Sequence, residues 1–338
     1  MRRRKERKIK KFSWKMFIGF VIFEFIFSAV TAPFVLLYGP FETAKKTFVG
    51  TAMGSMHYQW LATTFLSQDK IDDILGKNKT TTDYKQDTSL ISINASEDDV
   101  THVERQNIEG ENYSGIALII SNPYKVHVGV SQKLSCITGK ETGEGQKTSQ
   151  IAKAYDAIAA INGGSFADDS GAAAWTQNGG NPRGVIISYG KTIYTDVDRF
   201  NTQLDVAAIN SSGQLMVGKY TLEELESSGV QECLNFGPAL IINGVKQSVS
   251  DIGNRPKAMI GQRADGAIVL VVLDPKSGGT FAATIYEAQD VMEKLGCVNA
   301  TNLDGGKSTT MVYNDEVINN PTFATGERKI ASGFIVEK

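Results

Sequence analysis

Residues 16–38 read MFIGFVIFEFIFSAVTAPFVLLY, an apolar run interrupted by a single charge, Glu24. Such a run folds as a helix, because in lipid each backbone polar group must be paired within the segment. Arg2, Arg3, Arg4, Lys5, Arg7, Lys8, Lys10, Lys11 and Lys15 crowd the residues before it. Basic residues ahead of an apolar span place the N-terminus in the cytoplasm. The expectation is a basic cytoplasmic tail over 1–15, a single-pass anchor in the cell membrane over 16–38, and an extracellular remainder. A cleaved signal peptide is the competing reading, but Val30-Thr31-Ala32 is a poor cleavage site because Pro33 follows it. Glu24 is costly in lipid and is either a contact for a partner helix or a charge tolerated in a strongly apolar span.

The chain has 338 residues and a net charge of -2, so the basic N-terminal run leaves the rest acidic. With that run accounted for by the membrane, no nucleic-acid partner is expected. Cys136, Cys233 and Cys297 are scattered, without CxxC spacing, and only His57, His102 and His127 are present. A structural zinc, a multi-histidine metal site and a histidine-based triad are therefore not expected.

After the span, residues 39–76 read as a helical, membrane-proximal stalk. Phe48, Met53, Met56, Trp60, Leu61 and Phe65 recur at three-to-five residue steps, and Ser67 precedes an acidic first turn. This 41–75 region either contacts a partner or the lipid surface, or is a helix packed on the main domain. Residues 77–113 are polar, with one short β-like run at Leu90 to Ile93, and read as a linker of limited structure.

From Ser114 onward, β-prone runs alternate with turn signals. Val185 to Ser188 and Thr192 to Thr195 flank Tyr189-Gly190; Ala258 to Ile260 and Ile268 to Leu273 flank Ala264-Asp265-Gly266. Repeated hairpin signatures with short helices inserted at Thr148–Tyr155, Thr221–Ser227 and Ala282–Leu295, the last with Thr280 as its cap, define an α+β domain over 114–338. Its sheets are expected to be mixed and largely antiparallel, with the anchor and stalk preceding them.

Three segments concentrate residues that a fold alone does not require. In Ala159-Ala160-Ile161-Asn162-Gly163-Gly164-Ser165-Phe166, a buried-looking strand runs into Gly163 and Gly164, which allow close approach of a ligand, with Asn162 as donor and acceptor. A tight turn would look the same. In Asn254-Arg255-Pro256-Lys257, Arg255 has the planar fork that binds phosphate or carboxylate, although a surface ion pair is the alternative. In NLDGGKSTTMV, Asp304 follows a strand and precedes Gly305, Gly306, Lys307 and Ser308. An Asp-Gly turn is the plain alternative there. GGKS is not the end of a phosphate-binding P-loop, because Thr301 stands where the first glycine is required. The residues after it are β-prone, not helical.

The order INGGSF, NRPKAMIG, long helix, NLDGGKSTTMV resembles the phosphodiester glycosidase family over about Ser114 to Lys338. The resemblance implies a hydrolase that cleaves the bond between a sugar's anomeric carbon and a phosphodiester oxygen, and bacterial members are associated with exopolysaccharides. The implied substrate is a phosphodiester-linked glycan. On this reading Asp304 is the carboxylate beside the anomeric carbon, and Asp274 is a second candidate. Arg255 clamps phosphate, helped by Lys307 or Arg328, and Asn162, Gly163, Gly164, Gly305, Gly306 and Ser308 shape the pocket. No cofactor is expected; acidic residues near the pocket could take a divalent cation, but no EF-hand-like loop is present. Lys307 departs from the family, which carries a small residue there in a run like DGGGSST, and Asp274-Pro275-Lys276 departs from an Asp-Gly-Arg pattern. A non-catalytic glycan-binding or exopolysaccharide-assembly factor using the same pocket is the alternative function.

Overall fold

The computed structural model describes residues 13–53, 58–74, 86–167, 178–249, 253–276 and 282–338. The chain divides into two units, Met1–Leu75 and Gly76–Lys338.

In the first unit the apolar run forms one helix, Trp14–Tyr38, with the Ser13 hydroxyl accepting from Met16 N at its start. Its 25 residues at about 1.5 Å each span the ~30 Å hydrocarbon layer of a bilayer. Its length and composition are those of a membrane span. Glu24 is exposed on it. Three shorter helices follow, Glu42–Met53, Trp60–Thr63 and Gln68–Ile74. Leu37, Val49, Ala52, Ala62, Leu66 and Ile71 bury one another in a small core, and the Tyr38 hydroxyl donates to Phe65 O at 2.6 Å. Met56 and His57 lie outside the described residues.

The second unit is built from antiparallel sheets. A seven-stranded sheet contains Val103–Glu109, Tyr113–Ile120, Ile268–Pro275, Lys257–Arg263, Cys297–Leu303, Ala239–Ile242 and Val245–Lys246 in that spatial order. One five-stranded sheet carries Leu204–Asn210, Val230–Asn235 and Val185–Ser188 at its centre. The other is centred on Met311–Tyr313, Ala159–Asn162 and Ser332–Val336. The pairings between these strands are antiparallel.

The period-two patterning of the strands explains how the sheets pack. Ile116, Leu118 and Ile120 enter one core with Ile186, Leu234, Ile161, Met311 and Phe334, so all three sheets share it. The alternate residues Ala117 and Ile119 face outward onto the helix Ile285–Lys294. Likewise the helix Leu222–Ser227 covers the outer face of one five-stranded sheet and Thr148–Ala154 that of the other. Buried polar side chains staple the sheets together. Gln262 accepts from Leu215 N at 2.6 Å and donates to Gly213 O and Gly266 O at 2.8 and 2.9 Å. Glu232 accepts from Val128 N at 2.6 Å and Tyr189 N at 3.0 Å.

Two sequence expectations change. The polar stretch 77–113 is not a free linker where it is described. Gln86 bonds Leu215 O and Val217 N, and Val103–Glu109 pairs along its whole length with 114–120. As an edge strand facing solvent, it lacks the alternating apolar pattern that marks a strand in sequence. The last long helix begins at Ile285, not Ala282. Thr284 and Glu287 form a reciprocal capping box there, whereas Thr280 lies outside the described residues.

Replacing Gln262 by Leu should lower unfolding stability by about 2–4 kcal/mol, because one donor and two acceptors lose partners in a dry core. Chemical denaturation of the two proteins would measure it.

Candidate active site

The INGG and NLDGG segments meet at the ends of neighbouring sheets. Asn162, the last residue of its strand, is fully buried. Its side-chain amide donates to Asp304 O, and its Oδ1 accepts from Thr310 N at 2.9 Å. Its backbone N–H donates to Thr310 O, and Asp304 N donates to Gly163 O at 3.0 Å. One asparagine thus holds both ends of the 304–310 loop. The amide orientation follows from its partners, a carbonyl on one side and an N–H on the other.

The two glycines after Asp304 serve different purposes. Gly305 has extended backbone, but a Cβ there would lie 2.7 Å from Pro256 O. Gly306 has φ of 61°, which disfavours other residues. Gly306 N donates to Pro256 O at 2.8 Å, so the loop closes against the turn that carries Arg255. Gly163 and Gly164 are close-packed: Cβ atoms there would meet Leu234 at 2.4 Å and the Ser332 hydroxyl at 2.9 Å. Residues Gly306–Ser308 form one 3-10 turn, followed by the strand Met311–Tyr313, and this is not the long helix that a P-loop requires.

Asp304 is half-buried at the end of the strand Cys297–Leu303. Burial pushes its carboxyl up to about 7; hydrogen bonds from the Ser308 hydroxyl and Gly305 N–H oppose the shift. Ser308 is buried, and its hydroxyl oxygen accepts from Arg328 Nη1 at 3.5 Å. A relay therefore runs from guanidinium through hydroxyl to carboxylate. The Arg328 guanidinium also lies 4.9 Å from the centroid of the Phe166 ring. Burial lowers the pKa of both Arg255 and Arg328 from the usual arginine value.

The sequence-derived candidates do not all have the same standing in this geometry. Asn162, Gly163, Gly164, Asp304, Gly305, Gly306, Ser308 and Arg328 form one interlocked set, and the Arg255 turn abuts it. Lys307 is exposed on the loop. Asp274 is buried within the strand Ile268–Pro275, and its oxygens accept from Asn319 Nδ2 at 3.2 Å and Asn320 N at 2.8 Å. Asn319 also donates to Thr309 O and accepts from Met311 N. Asp274 thus reaches the loop through Asn319, as a support behind it. Asn319 carries no sequence signal beyond Asn-Asn-Pro, a turn composition. Asn302 is also buried, on the strand leading to Asp304, where it donates to Gly237 O at 3.1 Å. Among the described residues, no cluster of three or more His, Cys, Asp or Glu side chains could hold a metal.

Fold and site together define a protein of the phosphodiester glycosidases. The model of that family matches residues 155–337, and the chain belongs to it. Over 180 residues it is 27% identical to the SPbeta prophage-derived uncharacterized protein YomE of Bacillus subtilis (strain 168). That match takes in 50% of this chain and 26% of YomE, so the chain spans about a quarter of that relative. It also resembles the zebrafish N-acetylglucosamine-1-phosphodiester alpha-N-acetylglucosaminidase catalytic domain, solved auto-inhibited by its pro-peptide. The TM-score is 0.56 at 17% identity, over 71% of this chain and 83% of that one, a likeness of fold.

A carboxyl that holds its proton more tightly when folded than when unfolded destabilises the fold once pH rises above its unfolded pKa. The loss begins near pH 4 and is complete above about pH 7. Asp304→Asn should therefore raise the unfolding midpoint at pH 8 and leave it nearly unchanged at pH 4. With the discount for partial solvent access, the gain is roughly 1–3 kcal/mol. Thermal unfolding across this pH range checks it.

Proposed function

We propose that this chain is a membrane-anchored, extracellular hydrolase that cleaves the glycosyl–phosphate bond of a sugar-1-phosphodiester in a cell-envelope glycan. The observation that carries the reading is Asp304, half-buried at a strand end and locked there by Asn162, with Ser308 and Arg328 beside it. Family membership and the apolar N-terminal helix support the reaction class and the anchor.

The chemistry asks for little. The leaving group is a phosphate monoester, a weak base, so it departs with little protonation. Ordinary glycoside hydrolysis needs a second carboxyl as acid; here Asp274 is engaged with Asn319 and Asn320 and is not required in that role. Asp304 takes a proton from water as the water oxygen bonds the anomeric carbon and the carbon–oxygen bond to phosphate breaks. Its ionised form also stabilises positive charge developing on the sugar. Arg255 and Arg328 hold the phosphate, with fixed positive charge where the leaving group gains negative charge.

The test uses the full-length chain in detergent with sugar-1-phosphodiesters, measuring newly exposed phosphomonoester. Turnover is expected, and Asp304→Asn should reduce it on the order of 10²–10⁴-fold with the fold intact. Near-normal turnover by that variant would remove Asp304 from its role. Binding without release would favour the glycan-binding or assembly reading, for which the departure at Lys307 argues. Because a base must be ionised, kcat/KM should rise with pH and level off above about 7. A fall through that range would make Asp304 an acid instead.

Lys307 is exposed, so Lys307→Ser should change stability by less than about 0.5 kcal/mol. If Lys307 meets the substrate, the variant changes KM or the preferred sugar while kcat on the best substrate is retained. Kinetics on a panel of sugar-1-phosphodiesters would show it.

A further inference from the structure

Among the described residues of the domain the most deeply buried cation is Lys257, only 1% exposed and among the largest fully buried side chains. It is the first residue of the strand Lys257–Arg263, which lies between Ile268–Pro275, carrying Asp274, and Cys297–Leu303, which Asp304 follows. The register places Lys257 opposite Leu273 on one side and Ala258 opposite Leu303 on the other. An ammonium in such a place is costly unless hydrogen-bonded. Lys257 Nζ donates back to Gly253 O at 3.0 Å and Arg255 O at 2.9 Å. These two carbonyls belong to the turn that presents Arg255.

The next carbonyl in that turn, Pro256 O, accepts from Gly306 N at 2.8 Å and lies too close to Gly305 to admit a Cβ. The ammonium therefore fixes the turn, and the turn fixes the backbone immediately after Asp304. We propose that Lys257 is a positioning residue for the hydrolysis, setting Arg255 and the glycine loop against Asp304 without touching substrate. The inference rests on the proposed reaction for its kinetic consequence and on geometry alone for its structural one.

The test compares the full-length protein with Lys257→Met, which keeps the length and loses the donors, and Lys257→Arg, which keeps them. Hydrogen exchange is followed for peptides covering 303–310 and, as a control, 268–273, without substrate. Sugar-1-phosphodiester kinetics are measured in parallel. In Lys257→Met, exchange over 303–310 should rise about tenfold or more while 268–273 is unchanged. Its kcat should fall about 10- to 100-fold, more than KM rises, and Lys257→Arg should recover most of both. Unchanged exchange over 303–310, an equal rise in the control, or faster exchange with undiminished kcat overturns the proposal. If Lys257→Met does not fold, Lys257→Gln, with a neutral donor, is read by the same criteria. If the wild type shows no turnover, the reaction class fails, and exchange alone decides whether Lys257 holds the loop.

Discussion

The arrangement around Asp304 depends on the side-chain amide of Asn162. It is one planar group with a donor and an acceptor, and it uses them at opposite ends of the same loop. Asn162 ends a strand of one sheet and Asp304 follows a strand of another, so the amide also joins two sheets at the point where their strands end. An aspartate could accept from Thr310 N but could not donate to the Asp304 carbonyl. An apolar residue would leave a buried N–H and a buried carbonyl without their partner. The position needs both functions, and glutamine would add a methylene to a side chain that is fully buried.

Given that clamp, the electrostatics of Asp304 follow from its surroundings. The carboxyl sits where burial disfavours its charge, and two hydrogen bonds recover only part of the loss. The protein tolerates a carboxyl whose ionisation burial disfavours, and its titration moves toward neutrality. Ser308 connects it to Arg328, and the Arg255 turn closes the other side through Pro256 and Lys257. The candidate site is therefore a backbone loop held from three directions, with charged groups at its margin.

Much of this was legible in the sequence, and the rest was hidden for physical reasons. Turn signals and period-two runs located the core strands, because a strand with one buried face must alternate. They missed Val103–Glu109, whose role is backbone pairing at an edge with little apolar surface to bury. The Asn-Gly-Gly and Asp-Gly-Gly motifs pointed to two segments that meet in the fold, because few other residues permit such close backbone contact. The support provided by Asn319 and Lys257 could not be read from spacing. Asp274 looked like an end-of-strand carboxylate, and only the fold shows both of its oxygens engaged with residues some 45 positions away.

Beside the Asn162 amide, three main-chain bonds hold the same segments: Asp304 N to Gly163 O, Gly306 N to Pro256 O, and Asn162 N to Thr310 O. Such bonds need the bare backbone of Gly163, Gly305 and Gly306, but no particular side chain at the exposed position 307. The exposed Lys307 takes no part in those bonds, so its side chain can change while the backbone at Asp304 stays in place. A scaffold of this kind separates what holds the loop from what the loop displays.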